Sequence, residues 1–207
     1  MTRKKTEHRA RRQYIIDAAR RVFAKKSVEN ATMEDIAAAA GYTRRTLYTY
    51  FKSRDEICLL VLLEDLAARW AAQQKAMADA ATGLDKIRAW AMSFYEYAKH
   101  HPHSMRLQFY WDLHGINRRH LGKKVFAAFE VQNNALADGL REIFHRGIND
   151  GSLRPELEID MCISQFLYAL RGILNRAIST SYSFAAFDPD AYVNHYLDLL
   201  ARSIRHS

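Results

Sequence analysis

The chain has 207 residues, with 31 Lys and Arg against 23 Asp and Glu, a formal balance of +8, and 49% of its residues are hydrophobic. That apolar content excludes a disordered chain and suffices for one or two packed domains, while eight Gly, three Pro and no alternating β-branched runs leave strands without support. Met1 to Arg12 lacks the apolar stretch of a secretory signal and no later window approaches about 18 uncharged apolar residues, so a soluble, cytoplasmic, all-α protein with no membrane partner is expected.

In chain order, the first segment is basic. Residues 1 to 52 hold 13 Lys and Arg against 5 Asp and Glu, whereas residues 53 to 207 hold 18 of each. The whole excess sits on the first quarter, which predicts phosphate contact and steep salt dependence there. Met1 to Arg12 reads as a basic arm over a DNA backbone or minor groove. From Arg12 to Lys25, Ile15, Ala18, Ala19, Val22 and Phe23 recur at helical spacing and predict a first helix with one buried face.

Thr32 opens the second helix with a capping-box-like Asp35 three residues on. Met33, Ile36, Ala37 and Ala40 share one face, and Gly41 ends the helix. Thr43 caps a further start in which Leu47, Tyr50 and Phe51 are spaced to bury, while Arg44, Arg45 and Tyr48 point the other way. Two short helices joined by a Gly-containing turn form a helix-turn-helix, whose second helix enters the major groove. On this reading Tyr42, Thr43, Arg44, Arg45 and Tyr48 face base edges, and Thr32, Tyr50, Lys52 and Arg54 face phosphates.

The run from Thr32 to Ile57, above all Gly41 and the core Leu47-Tyr48-Thr49-Tyr50-Phe51-Lys52, resembles the DNA-binding signature of the TetR family of bacterial transcriptional regulators. With the Arg12 to Lys25 stripe, about 50 of the 207 residues carry the resemblance. Tyr42 stands where family members often have a small aliphatic residue, and Arg45 where many have Gly or another small one. Both departures put bulk at the DNA face, so the operator sequence does not follow. The resemblance implies a homodimer joined by a four-helix bundle from the last two helices of each subunit.

Ser53 with Glu56 opens a long helix to about Ala80, which joins the reading helix directly to the rest of the chain. Gly83 precedes a helix with Leu84, Ile87, Ala91, Phe94 and Ala98 on one face, and Pro102 breaks it. A short segment then runs to Gly115. A long helix is expected from about Asn117 to Asp150, stopped by Gly151 with Pro155 beyond. Two more span roughly Glu158 to Ser179 and the stretch after Asp188, with Pro189 at its first position. About nine helices result, with a helix-turn-helix domain at 1–52 and a helical effector-binding and dimerisation domain at 53–207.

Ala169, Gly172 and Ile173 give the eighth helix a small-residue face, and Val193, Leu197, Leu200 and Ile204 give the ninth an apolar stripe. These are the expected dimer residues, since two-fold dimers read two half-sites; the competing reading is intramolecular core. Between motif and interface, Trp90, Phe94, Tyr97, Phe109, Trp111, Phe126 and Phe166 either fill the core or line a cavity for a small-molecule effector. Glu96, Asp112, Glu130, Gln132 and Gln165 would orient the ligand, and acids among rings would suit a flat organic cation.

Catalysis finds no support. The lone Glu142-x-x-His145 lacks the second pair and extra Glu of a di-iron site. His100, His101 and His103 flank a helix break without Cys or a second His pair at zinc spacing. No nucleophile elbow, P-loop or dinucleotide fingerprint occurs, so no enzyme, cofactor or metal is expected. Cys58 and Cys162 read as buried free thiols. The expected function is a homodimeric repressor that leaves a palindromic operator when a small molecule binds. Alternatives are a regulator or architectural factor without effector, and a helical binder or enzyme with a vestigial DNA head.

Overall fold

The computed structural model describes residues 3–114, 118–178 and 188–206. The expected break at Gly115, helix start at Asn117 and helix end at Ser179 lie outside them. The fold is all-α: α1 (Arg3–Lys25), α2 (Met33–Ala40), α3 (Arg44–Tyr48), α4 (Arg54–Ala76), α5 (Gly83–His100), α6 (Pro102–His114), a 3-10 turn (Arg118–His120), α7 (Lys123–Asn149), α8 (Ile159–Ile178) and α9 (Pro189–Ile204). No described helix is long and apolar enough to cross a membrane.

The expected basic arm is helical from Arg3 onward. Arg, Lys, Glu, Ala and Gln are good helix formers and no Gly or Pro interrupts them, so α1 extends through the charged residues and presents them on a rigid rod. Arg3 pairs with Glu7 one turn later at 3.4 Å.

By packing, the chain divides into two compact units, Met1–Leu66 with His103–Gln132, and Ala67–Pro102 with Asn133–Ser207. This division differs from the boundary expected at residue 52, which followed charge rather than contacts. In the first unit, Ile15, Ala18 and Ala19 of α1, Ile36 of α2, Leu47 of α3, Ile57, Cys58 and Val61 of α4, and Leu107 and Trp111 of α6 share one core. The Trp111 indole N–H donates to the Cys58 sulfur at 3.2 Å, and burial pushes that thiol up to about 12. Cys162 is half-buried.

Helix α7 starts at Lys123. Leu121 turns into the core, and Ser53 Oγ donates to the His120 carbonyl at 2.7 Å. Gly122 passes so close to Glu56 that a Cβ there would stand 3.0 Å from its carboxylate. The 3-10 turn is the local solution that meets these constraints, and none is visible as helical periodicity.

In the second unit, α5 starts on a capping box of Thr82 and Asp85. Gly83 N–H donates to Asp150 Oδ2 at 2.8 Å and Leu84 N–H to Ser152 Oγ at 3.1 Å, which satisfies N–H groups the helix itself leaves unpaired. A Cβ on Gly83 would overlap the backbone of Gly147, and backbone cannot swing aside. Gly83→Ala should therefore cost about 2–3 kcal/mol and lower the melting temperature by about 5–10 °C; an unchanged thermal melt would refute this close approach.

Helices α8 and α9 pack on each other and both on α5. Val193, Leu197 and Ile204 are 0%, 2% and 3% exposed within the single chain, which corrects their assignment to a dimer interface: the stripe closes the subunit's own core. Leu200 and Ile173 are half-buried, and Ala169 and Gly172 are exposed. The outward faces carry Met161, Tyr168, Tyr192 and Leu199 as exposed apolar side chains.

Candidate nucleic-acid interface

The reading head is assembled by local hydrogen bonds that the sequence dictates. Thr32 accepts from Asp35 N–H at 3.1 Å while its own N–H donates to Asp35 Oδ2 at 3.0 Å, closing a capping box at the start of α2. Hydrogen bonds from Lys26 and Thr32 hold the Asp35 carboxyl down at about 2. Gly41 ends α2 with φ +69°, a left-handed conformation that side-chain-bearing residues resist. Tyr42 N–H then returns to the Ala37 carbonyl at 3.0 Å. Thr43 caps α3 by accepting from Thr46 N–H at 3.2 Å. The turn between the helices is thereby fixed at both ends.

On α3, Leu47 is buried while Arg44, Arg45, Tyr48 and the capping Thr43 are exposed. Arg44 lies over the Tyr48 ring at 5.5 Å, donates to its hydroxyl at 3.3 Å, and pairs with Glu34 of α2. Glu34 lies ten residues upstream, too far for the sequence pattern to pair it with Arg44. Tyr42 is half-buried against the core, edge-on to Tyr14 at 6.5 Å; its bulk props α1 rather than extending the exposed face.

The residues expected at phosphates divide. Lys52 is exposed, with Nζ at 3.5 Å from the Leu121 carbonyl. The Thr32 hydroxyl is exposed but serves the cap. Tyr50 is half-buried, 4.7 Å from the His8 ring, and hydrogen-bonded with Arg11, so His8 and Arg11 of the expected basic arm rest on the residue just beyond α3. Arg54 is corrected outright. It donates to the carbonyls of Val28 at 2.9 Å and Ala31 at 3.1 Å and to the Tyr110 hydroxyl at 3.1 Å, and it pairs with Asp55 at 2.9 Å. Arg54 is a brace for the loop between α1 and α2.

The aromatic residues expected at an effector site also divide. In the second unit Trp90 stands 5.5 Å from Phe94 and 5.4 Å from Phe166, and Tyr97 stacks on His101 at 4.2 Å. In the first unit Trp111 is core and Phe126 packs against it, while Phe109 is half-buried. The polar groups expected among them are elsewhere: Glu96, Asp112, Glu130 and Gln165 are exposed, and Gln132 donates to the Leu63 carbonyl at 3.2 Å. Buried acids for a flat cation are therefore not what these residues supply.

Two capped helices at a fixed turn, an exposed Arg-Arg-Tyr face and a basic flanking helix define a helix-turn-helix DNA-binding protein. Residues 15–61 match the family described as bacterial regulatory proteins, tetR family. It is similar to the transcriptional repressor KstR2 of Mycolicibacterium smegmatis, at 28% identity over 152 residues, 73% of this chain and 72% of that protein. It is similar at 25% identity to the repressor AcnR of Corynebacterium diphtheriae over 98% of this chain and 95% of that one. Its fold is shared with FadR of Bacillus subtilis, solved with stearoyl-CoA, at TM-score 0.73 and 19% identity over 93% and 99% of the two chains.

Proposed function

We propose that this chain is a homodimeric transcriptional repressor of the TetR type that leaves a palindromic operator when a small molecule binds its helical portion. The observation that carries the reading is the exposed Thr43, Arg44, Arg45 and Tyr48 face on a doubly capped turn, coupled to the concentration of all net charge in residues 1–52. These four side chains meet base edges; Lys52 and the basic residues of α1 meet phosphates, and Tyr42 and Tyr50 hold α3 in place. Residues 53–207 supply the effector site and the dimer contact. The repressor names of KstR2 and AcnR and the ligand held by FadR support the same division of labour.

The dimer contact in this proposal uses the outward faces of α8 and α9, through Tyr168, Ala169, Gly172 and Leu199. Small residues let helices approach closely, and a Cβ added to Gly172 would meet nothing within 4 Å in the single chain. An effector can weaken DNA binding only by preferring a conformation whose two recognition helices no longer match grooves about 34–36 Å apart. Selection of bound DNA from a random pool is the direct test. Enrichment of a palindrome with two half-sites is expected, and enrichment of a single unpaired site, or of nothing, would overturn the dimeric repressor.

A further inference from the structure

The polar groups buried among the aromatic rings of the second unit are hydrogen-bond donors. Gln73 of α4 and Trp90 of α5 are each 1% exposed, and the Gln73 side-chain nitrogen and the Trp90 indole nitrogen have no hydrogen-bond partner. Buried N–H groups are almost always paired, because leaving one without an acceptor forfeits its hydration for nothing in return.

The two donors stand at one level of the fold. Arg69 lies 4.2 Å over the Phe94 ring, and Lys86 Nζ donates to the Met77 carbonyl at 2.8 Å. These two contacts run α4 and the residue after it antiparallel to α5, with residue 69 near 94 and residue 77 near 86. Gln73 and Trp90 fall midway between, one helical turn from each contact. Arg69 is itself 4% exposed and carries a permanent positive charge. Phe94 and Phe166 flank the Trp90 ring at 5.5 and 5.4 Å. One short stretch of the α4–α5 contact thus brings together an indole N–H, an amide NH2, a guanidinium and two apolar rings.

We propose that Gln73 and Trp90 are the polar end of the effector site and bind an oxygen acceptor, a carboxylate or a carbonyl, on a ligand whose body is apolar. The Gln73 and Trp90 N–H groups converge on the oxygen, and the Phe94 and Phe166 rings take the apolar body. This rests on the effector reading above and reverses the cationic ligand suggested by acids that the fold leaves at the surface.

The test uses the full-length protein and two matched probe series, naphthoate, acetonaphthone and naphthylmethylamine on one body, and laurate, methyl laurate and laurylamine on another. Titration calorimetry should show the acid or the carbonyl compound of at least one series binding and its amine not binding. If Arg69 contributes its charge the acid binds more tightly than the carbonyl; equal affinities would remove Arg69 from the site but keep the two donors. Trp90→Phe keeps the ring and Gln73→Met keeps the length, and each should weaken the bound probe on the order of tenfold while leaving the helical circular dichroism unchanged. Amines binding as well as acids, no acceptor probe binding at all, or unchanged affinity in both variants would overturn the proposal. Gel shifts with the selected operator separate the two readings: a probe that needs Gln73 and Trp90 but does not release DNA keeps the site and removes its regulatory role.

Discussion

Arg44→Ala and Arg45→Ala should each weaken binding to the selected operator by about 1–3 kcal/mol, or about 5- to 150-fold, and relax base preference at one position per half-site. The two residues reach that outcome from different starting points. Arg44 is held by Glu34 and Tyr48, so DNA must offer it more than an exposed ion pair, worth about 0–1 kcal/mol. A guanine edge or a phosphate does so. Glu34→Gln should consequently leave affinity unchanged or raise it, since it removes a competitor and a like charge near phosphate. Lys52→Ala is the contrast: it should weaken all sequences alike and lower the slope of log affinity against log salt by about 1. Fluorescence anisotropy across a set of operator variants reads all four. If both arginine variants kept wild-type affinity and preference, α3 would not be the reading helix as assigned.

How much of this was legible in the sequence depends on how far each signal reaches. The caps at Thr32, Thr43 and Asp188, and the left-handed Gly41, act within three or four residues, and all appear where the residue types place them. The family signature is likewise local and gapless. Contacts spanning dozens of residues were not legible. Arg54 reads as one more cation beside the motif, and only its bonds to the carbonyls of Val28 and Ala31 show it bracing a loop. The start of α7 depends on Leu121 and Gly122 meeting α4. Gln73 and Arg69 are polar positions within α4 that no local pattern marks as buried, yet both are. The aromatic residues stand out in the sequence, but their separation into two groups follows from which unit each helix joins.

The stripe on α9 shows the same ambiguity with the largest energetic consequence. Val193, Leu197 and Ile204 would look identical in sequence whether they faced a partner subunit or α5 of their own. Because Leu197 is 2% exposed in the single chain, Leu197→Glu removes a buried side chain worth about 2–5 kcal/mol and sets a carboxylate in apolar surroundings, where an unpaired charge costs several kcal/mol more. The sum is about the whole stability of a domain, about 5–15 kcal/mol, so this variant should lose its helical circular dichroism rather than yield a folded monomer. Tyr168→Glu behaves differently. Tyr168 is 72% exposed, and a surface change of this kind moves subunit stability by only about 0.5 kcal/mol, so the fold should persist. Sedimentation should then show the dimer of the wild type replaced by monomer, and operator affinity should fall with every DNA-facing residue intact, since one half-site alone cannot hold the protein. A folded, monomeric Leu197→Glu protein would return the α9 stripe to the interface. A Tyr168→Glu protein that stays dimeric and binds the palindrome as before would remove the outward face of α8 from it.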